Sequence, residues 1–361
     1  MKTWHKKYFK SMGIIAIATI VTFGIVACKD NNSGKQSTKS TGEVTQFIGA
    51  GSSFIYPVMN PWTNQYYDHT KVKVNYQPIG SGGGQRQIFN GTVNFAASDQ
   101  PLTPSQLKQH NLIQFPAIVG GIVPVINIKG IGNNKLILTG KVLADIYLGK
   151  ITHWNNIKIQ KLNPNIKLPD SLIIDIHRAD GSGTTYNFSN YLAKMNPEWE
   201  KKVGVNTTLD WPGNGIGANG NAGVAAQVQQ LPNSIGYVEY AYAVEGKMTT
   251  VKLINADGNA VAPSLKAFAA AAQYAKWNPK ADYELILTNQ PGNDSWPISA
   301  STFILLPTKN PENMNKAILK FFTWSYGEHA ANIATKLNYI AIPKNVVTGI
   351  KVYWQEHLGY H

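Results

Sequence analysis

The chain has 361 residues, of which 43% are hydrophobic and 15% charged, and its formal net charge is +13. This length accommodates two domains with separate cores, and the apolar content excludes an intrinsically disordered chain. The lysines are dispersed and form no basic helix, which favours a solvated surface over a nucleic-acid-binding one.

The first 27 residues have the pattern of a secretory signal peptide. Lysines precede an uncharged apolar run over residues 12–27, which is too short to span a bilayer comfortably. The run ends in "IVAC", residues 25–28, which resembles the lipobox of bacterial lipoproteins, and Cys28 is the only cysteine in the sequence. We therefore predict that residues 1–27 are removed and that Cys28 carries a lipid. A buried or unmodified thiol is the alternative.

Residues 28–43 are predicted to form a flexible tether. Positions 29–41 read "KDNNSGKQSTKST", which offers no apolar residue to bury. Such a tether lets the folded part of the chain move above the membrane that holds Cys28. With one cysteine in the sequence, no intrachain disulfide can form.

From residue 44 onward the sequence predicts an α/β fold. Apolar strand-like runs end in turns and are followed by helical patterns, which is typical of parallel α/β units. The strand-like runs are, in chain order, "VTQFIGAG", "KVKVNYQPIG", "VNFAASDQP", "FPAIVGGIVPVINI", "LIIDIHRADGSG", "SIGYVEYAYAV" and "SASTFILLP", and a helical "GVAAQVQQL" precedes the sixth.

Four turns rich in small polar residues follow apolar runs and precede, or lie close to, predicted helix starts. They contain residues 52–53, Ser81, residues 98–99 and residues 182–184. Because ligands bind at the carboxyl ends of strands in open α/β sheets, we expect these turns to converge on one site. Backbone N–H groups, hydroxyls and helix N-termini in combination favour an anion as the ligand.

Asp99 is an unexpected residue for an anion site, because a carboxylate repels an anion. A protonated oxyanion removes this conflict, since its hydroxyl can donate to the carboxylate. Sulfate has no proton at neutral pH, so Asp99 would reject it, and sites built to receive a hydroxyl discriminate by roughly 10⁴–10⁵-fold. The alternative is that Asp99 is an ordinary turn or N-cap residue before Pro101.

Arg178 is one of two arginines in the chain and begins the stretch "RADGSGTTYNF". Its planar guanidinium can match two oxygens of a tetrahedral anion, which a lysine cannot do. Asp180 is predicted to accept from the guanidinium and hold it in place. Ser182, Gly183 and Thr184 would supply N–H and hydroxyl donors. A purely structural Arg–Asp pair beside a loop is the alternative.

The sequence offers no pattern for metal binding, cofactor binding or catalysis. It contains no HExxH or CxxC motif and no Walker pattern, and its eight histidines do not cluster. The second arginine, Arg86, is predicted to lie exposed on the helix that follows "GSGGGQ". We therefore predict that the protein has no metal and no cofactor and is not an enzyme.

Taken together, these motifs resemble the PstS family, the phosphate-binding proteins of the bacterial high-affinity phosphate ABC transporter. The resemblance runs from about residue 45 to the C-terminus and includes "GAGSSF", "NYQPIGSGGGQ", "VNFAASDQPL", "HRADGSGTTYNF" and "SWPISASTFIL". The family pattern implies phosphate contacts at eight positions, namely Ser53, Phe54 (through its N–H), Ser81, Asp99, Arg178, Ser182, Gly183 and Thr184, with Asp180 paired to Arg178. The family usually has threonine at the position of Ser53.

The resemblance also implies a type II periplasmic-binding-protein fold, in which two α/β domains are joined by two crossing strands and hold the ligand in the cleft. The crossings are expected near Gly120 and Trp296. Domain I would then comprise residues 44–121 and 297–361, and domain II residues 122–296.

By the same resemblance, a monomer without cofactor binds inorganic phosphate reversibly and does no chemistry on it. It delivers phosphate to an ABC transporter with PstA-like and PstC-like permease subunits and a PstB-like ATPase. The expected location is the periplasm or the cell surface, with a lipid anchor at Cys28. Three alternatives remain open: a secreted phosphatase or phosphotransferase with Ser53 or Ser182 as nucleophile, a surface adhesin or phosphate sensor, and a receptor for arsenate or sulfate.

Overall fold

The computed structural model describes residues 42–213 and 215–360. The predicted signal peptide, Cys28 and all but the last two residues of the predicted tether lie outside the described residues. Within these ranges, no helix is both long and apolar enough to cross a lipid bilayer.

Strands and helices alternate along the described chain, as the sequence predicts. The strands are β1 (Gln46–Gly51), β2 (Lys73–Gln77), β3 (Phe95–Ser98), β4 (Leu112–Asn127), β5 (Ile137–Leu138), β6 (Ile174–Arg178), β7 (Ile216–Ala218), β8 (Ser234–Glu239), β9 (Thr249–Thr250), β10 (Lys252–Ile254), β11 (Ala260–Val261), β12 (Ser299–Pro307) and β13 (Ile340–Ala341). The α-helices are α1 (Tyr56–Thr70), α2 (Ser81–Phe89), α3 (Pro104–His110), α4 (Gly140–Tyr147), α5 (Ile157–Leu162), α6 (Gly183–Met195), α7 (Pro197–Lys202), α8 (Gly220–Gln230), α9 (Tyr240–Glu245), α10 (Leu265–Ala272), α11 (Glu312–Ser325), α12 (Glu328–Lys336) and α13 (Lys344–Leu358), with a 3₁₀ turn at Pro279–Ala281.

The main sheet has the strand order β2-β1-β3-β12-β4-β8-β6-β7. β1 pairs in parallel with β2 and β3, and β6 pairs in parallel with β7 and β8. β12 and β4 run antiparallel to their neighbours in the middle of this order. β13 and β9 add short antiparallel pairings to β4. A separate small sheet has the order β11-β10-β5.

The long strand β4 belongs to two parts of the sheet. Its residues 112–121 pair with β12, and its residues 122–127 pair with β8. We call the part from β2 to residues 112–121 of β4 the first half of the sheet. The part from residues 122–127 of β4 to β7 is the second half. The two glycines at the change of partner let aromatic rings pack directly on the backbone, because a Cβ at Gly120 would lie 2.8 Å from the Phe54 ring.

Helices cover both halves and bury apolar and aromatic side chains against the sheet. Phe115 of β4 packs edge-on against Phe322 and Trp354, with ring centroids 5.5 and 4.9 Å apart. In the second half, Phe188 of α6 stacks on Tyr237 of β8 at 4.0 Å. Aromatic pairs of this kind add about 0.5–1.5 kcal/mol each beyond the burial of their area. This packing fixes the strand ends, and hence the turns that follow them.

Candidate anion-binding site

The four polar turns of the sequence analysis meet in one buried region. In the first half, residues 52–54 follow β1, Ser81 begins α2, and Asp99 follows β3. In the second half, Arg178 ends β6, and residues 180–184 lead into α6. The N–H of Gly82 donates to the carbonyl of Gly181 at 2.9 Å, which joins a turn of one half to a turn of the other. The expected convergence of the four turns is therefore present.

Gly183, at the start of α6, faces the first half so closely that no larger residue fits. A Cβ at this position would lie 2.7 Å from Cβ of Asp99 and still closer to Oγ of Ser81. Asn187, one turn further along α6, donates from Nδ2 to the carbonyl of Asp99 at 2.7 Å. The N-terminal ends of α2 and α6, which carry partial positive charge, thus both lie at this region.

Asp99 is buried, with 2% of its surface exposed, and its two oxygens have different surroundings. Oδ1 accepts from Oγ of Ser52 and from Oγ1 of Thr302, both at 2.6 Å. Oδ2 has Oγ of Ser81 at 3.4 Å. Burial raises the pKa of Asp99 to about 6, and the hydroxyl donors and the charge of Arg178 partly oppose that rise. Asp99 is therefore a dehydrated carboxylate that ionises below neutral pH.

Arg178 is buried and pairs with Asp180 through one edge of its guanidinium. Nε donates to Oδ1 at 2.7 Å and Nη2 donates to Oδ2 at 2.5 Å. The N–H of Gly220 also donates to Oδ1, at 3.0 Å. Burial raises the pKa of Asp180, but the hydrogen bonds and charge of Arg178 outweigh burial and hold it below its usual value. Asp180 therefore fixes the cation through its Nε–Nη2 edge. Nη1 donates to Oγ1 of Thr184 at 3.5 Å, so two of the five guanidinium N–H groups are left for a ligand.

Ser53 and Thr184 are held by Asn221 of α8, a residue that the sequence analysis missed. Oγ of Ser53 accepts from the backbone N–H and from Nδ2 of Asn221, at 3.2 and 2.9 Å. Nδ2 also lies 3.2 Å from Oγ1 of Thr184, and Oδ1 accepts from the N–H of Glu239 at 2.9 Å. Two acceptor positions of Ser53 are thus filled, so its hydroxyl hydrogen remains for donation. The polar "NGN" at residues 219–221, before a helical run, was the available signal.

The backbone groups of Phe54 and Ser182 make hydrogen bonds within the protein. The N–H of Phe54 donates to Oγ of Ser52 at 3.0 Å, and its carbonyl accepts from the Tyr339 hydroxyl at 2.6 Å. Ser182 caps α6, because its Oγ accepts from the N–H of Thr185 at 3.0 Å. Its own N–H donates to the carbonyl of Thr207 at 2.8 Å. Because its backbone N–H is already engaged, Ser182 can donate to a ligand only through its hydroxyl.

A cavity of about 450 Å³ opens beside this region and is lined by Ser53, Tyr56, Ile79, Asp180 and Tyr242, among others. A larger surface cavity of about 950 Å³, between α1 and β2, touches none of the predicted ligand residues. Arg86 is exposed on α2, away from the site, as predicted. The described part of the chain contains no group of three or more His, Cys, Asp or Glu side chains that could hold a metal.

The fold defines a class of protein: a type II periplasmic-binding-protein fold, here with a buried region rich in hydrogen-bond donors between two halves of its sheet. The sequence profile described as the PBP superfamily domain matches residues 36–329. Two solved structures resemble the fold at low sequence identity. A periplasmic phosphate-binding protein, PfluDING, has a TM-score of 0.67 at 18% identity, covering 85% of this chain and 93% of that one. A substrate-binding protein from Clostridium perfringens has a TM-score of 0.60 at 20% identity, covering 82% and 100%.

Sequence relatives identify the family. The chain is 46% identical over 362 residues to the phosphate-binding protein PstS of Xylella fastidiosa strain 9a5c, covering 97% of this chain and 98% of the relative. It is 48% identical over 318 residues to the phosphate-binding protein PstS of Haemophilus influenzae, covering 88% and 94%. This chain therefore belongs to the PstS family of phosphate-binding proteins, and the predictions of its fold class and family are confirmed.

Proposed function

We propose that this protein binds inorganic phosphate reversibly outside the cytoplasmic membrane and passes it to the permease of an ABC transporter. The observation that carries the proposal is that one buried region holds both a cationic hydrogen-bond donor and a carboxylate acceptor. The Nη1–Nη2 edge of Arg178 provides a cation, and Oδ2 of Asp99 provides an acceptor for a proton. A hydrogen phosphate ion carries both the negative oxygens and the hydroxyl that this pair requires. Names of the relatives support the same ligand.

In the proposed complex, the hydroxyls of Ser53, Ser81, Ser182 and Thr184 donate to phosphate oxygens. Backbone N–H groups of Phe54 and Gly183 add further donors. For Phe54 this requires its N–H to turn from Oγ of Ser52 towards the ligand. Asp180 holds Arg178 in position without contacting the ligand. Arg178 carries one positive charge against the two negative charges of ionised Asp99 and Asp180, so net charge does not attract the anion and directed hydrogen bonds supply most of the affinity.

The two halves of the sheet are proposed to be the two domains that close over phosphate. The proposed boundaries are residues 44–121 with 297–361 for domain I, and residues 122–296 for domain II. Contacts between the halves support closure here: Asn221 donates to Ser53, and the hydroxyl of Tyr242 donates to the carbonyl of Ser53 at 2.7 Å. Closure around these contacts would remove the ligand from water.

Reversible binding of phosphate is favoured over phosphatase activity. Oγ of Ser53 is engaged by Asn221 donors, and Oγ of Ser182 by the N–H of Thr185. Neither contact is with a general base of the kind that activates a serine nucleophile. Sustained release of p-nitrophenol from p-nitrophenyl phosphate would contradict this part of the proposal.

Calorimetric titration of the phosphate-free protein tests the function directly. Phosphate should bind tightly at one site, arsenate should compete because it is protonated like phosphate, and sulfate should bind far more weakly. Sulfate binding as tight as phosphate binding, or no binding of either ion, would contradict the proposal.

The membrane anchor is proposed on the sequence pattern alone, since Cys28 lies outside the described residues. A Cys28→Ser variant should move from the membrane fraction to the soluble fraction while still binding phosphate. Retention of the variant in the membrane fraction would contradict lipidation at Cys28.

A further inference from the structure

The environment of Asp99 is asymmetric. Oδ1 receives two short hydrogen bonds, from Ser52 after β1 and from Thr302 on β12, both at 2.6 Å. Both hydroxyl residues are buried completely. Oδ2 has one weak neighbour, Oγ of Ser81 at 3.4 Å. Oγ of Ser81 also accepts from the N–H of Asp99 at 3.1 Å, so Ser81 engages both the backbone and the side chain of this residue.

We propose that Ser52 and Thr302 are positioning residues that determine the selection of protonated over unprotonated oxyanions, by filling Oδ1 of Asp99 so that Oδ2 alone faces the proton of the ligand. This inference rests on the proposed phosphate-binding function. Neither residue is one of the eight predicted ligand positions.

The geometry accounts for the direction of both hydroxyl hydrogens. An ionised carboxylate oxygen can only accept, so Oγ of Ser52 and Oγ1 of Thr302 both donate their hydrogens to Oδ1, whether or not the N–H of Phe54 stays on Oγ of Ser52. Thr302 is brought to Asp99 by the antiparallel pairing of β12 with β3, in which Phe303 stands opposite Ser98. The pairing of β12 with β4 is irregular between Thr302 and Phe303. Because a carboxylate oxygen has about two lone-pair positions, these two donors occupy Oδ1.

The same two hydroxyls keep Asp99 in the form that can accept a proton. Burial favours the neutral acid, and Ser52, Thr302, Arg178 and Ser81 oppose it in that order. The other titratable groups that act on Asp99 do not supply positive charge. They are Tyr76, Tyr339 and Glu239, and burial raises the pKa of each, which favours their neutral forms. Loss of either hydroxyl therefore shifts Asp99 towards the neutral acid, which can donate a hydrogen bond to sulfate.

The test compares Thr302→Val, which has nearly the same shape, with Thr302→Ser and with the control Ser301→Ala. Ser301 is the adjacent buried hydroxyl on β12 and donates to the carbonyl of Ile118 instead of to Asp99. Phosphate and sulfate affinities are measured by calorimetry from pH 5 to pH 8.5. In the wild type, discrimination against sulfate should weaken as the pH falls through about 6, where Asp99 takes up a proton.

For Thr302→Val, the pH at which discrimination is half lost should rise by roughly one to two pH units, because a hydrogen bond to a charged group is lost. The ratio of phosphate to sulfate affinity at pH 7.5 should fall by roughly 10- to 30-fold, because pH 7.5 lies about 1.5 units above the wild-type midpoint. Thr302→Ser and Ser301→Ala should keep the wild-type profile. Ser52→Ala should give the same shift as Thr302→Val, and it serves as the test if Thr302→Val does not fold.

The inference is overturned if Thr302→Val or Ser52→Ala binds phosphate with the wild-type pH midpoint and the wild-type rejection of sulfate. A wild type that bound no phosphate would instead overturn the proposed function itself. The two failures are thus distinguishable, because the first is seen only in the variants and the second already in the unaltered protein.

Discussion

Replacing Asp99 with asparagine should remove a pH-dependent loss of stability from the phosphate-free protein. Burial raises the pKa of Asp99 from 3.8 to about 6. Below pH 3.8 the group is protonated in both the folded and the unfolded chain, so it does not make the unfolding free energy depend on pH. Between the two pKa values the folded protein holds a proton that the unfolded chain has released, and stability falls as the pH rises. Above pH 6 the full cost of the buried charge applies.

The gap of about two pKa units corresponds to roughly 3 kcal/mol of unfolding free energy. Asparagine has nearly the same shape, and its oxygen can still accept from Ser52 and Thr302, so the variant should lack this cost. Urea unfolding of both proteins, dialysed free of phosphate, measures the difference at pH 4.0 and pH 7.5. Relative to the wild type, the variant should gain about 2–3 kcal/mol between these two pH values.

Taking a difference between two proteins cancels the titration of groups that they share. A difference in unfolding free energy that is the same at pH 4.0 and pH 7.5 would refute the reasoning, because it would mean that the Asp99 carboxylate is not desolvated in the free protein. Phosphate at 100 times the wild-type dissociation constant should stabilise the wild type by about 2.7 kcal/mol. The same phosphate concentration should stabilise the variant by less.

Three further substitutions test the remaining parts of the site. Arg178→Lys should lower phosphate affinity by about 100-fold or more, since a lysine cannot pair with Asp180 and offer a second planar edge; Arg86→Lys, on the exposed arginine, is the control, and equal effects would contradict the argument. Gly183→Ala should abolish tight phosphate binding in calorimetry, because its Cβ would collide with Ser81 and Asp99, whereas Gly132→Ala, which meets nothing closer than 3.5 Å, should bind normally. Asn221→Asp should weaken binding at pH 7.5 by about 10- to 100-fold, because a carboxylate would draw the hydroxyl hydrogens of Ser53 and Thr184 away from the ligand, and unchanged affinity would remove Asn221 from the binding machinery.

The sequence predicted the parts of the site that are encoded locally. Each of Ser53, Ser81, Asp99 and Arg178 follows or ends an apolar run, and the carboxyl ends of neighbouring strands meet at one edge of a sheet. The pairing of Arg178 with Asp180 spans two residues and could be read from their spacing. Such signals survive in the sequence because they depend on strand ends and helix starts.

The residues that orient the predicted ligand groups could not be predicted in this way. Thr302 lies 203 residues from Asp99 in the chain, and Asn221 lies 168 residues from Ser53. Both contacts depend on how strands pair and helices pack, which local patterns do not specify. Ser53 lies three residues before the first residue of α1 but does not cap this helix, because α1 has Ile55 at its N-cap and no side-chain cap. The hydroxyl of Ser53 is therefore available for the role that Asn221 gives it.

Asn221 and Thr302, which the sequence did not predict, orient opposite kinds of groups: Asn221 orients donors and Thr302 an acceptor. Together they explain how the site could select its ligand. Asn221 fills acceptor positions on Ser53 and approaches Thr184, which makes these hydroxyls donors towards the cleft. Thr302, with Ser52, fills Oδ1 of Asp99 and leaves Oδ2 as an acceptor. A ligand that meets this arrangement must accept hydrogen bonds at most of its oxygens and donate at one. Hydrogen phosphate and hydrogen arsenate satisfy both conditions, whereas sulfate at neutral pH has nothing to donate and leaves a buried carboxylate unpaired.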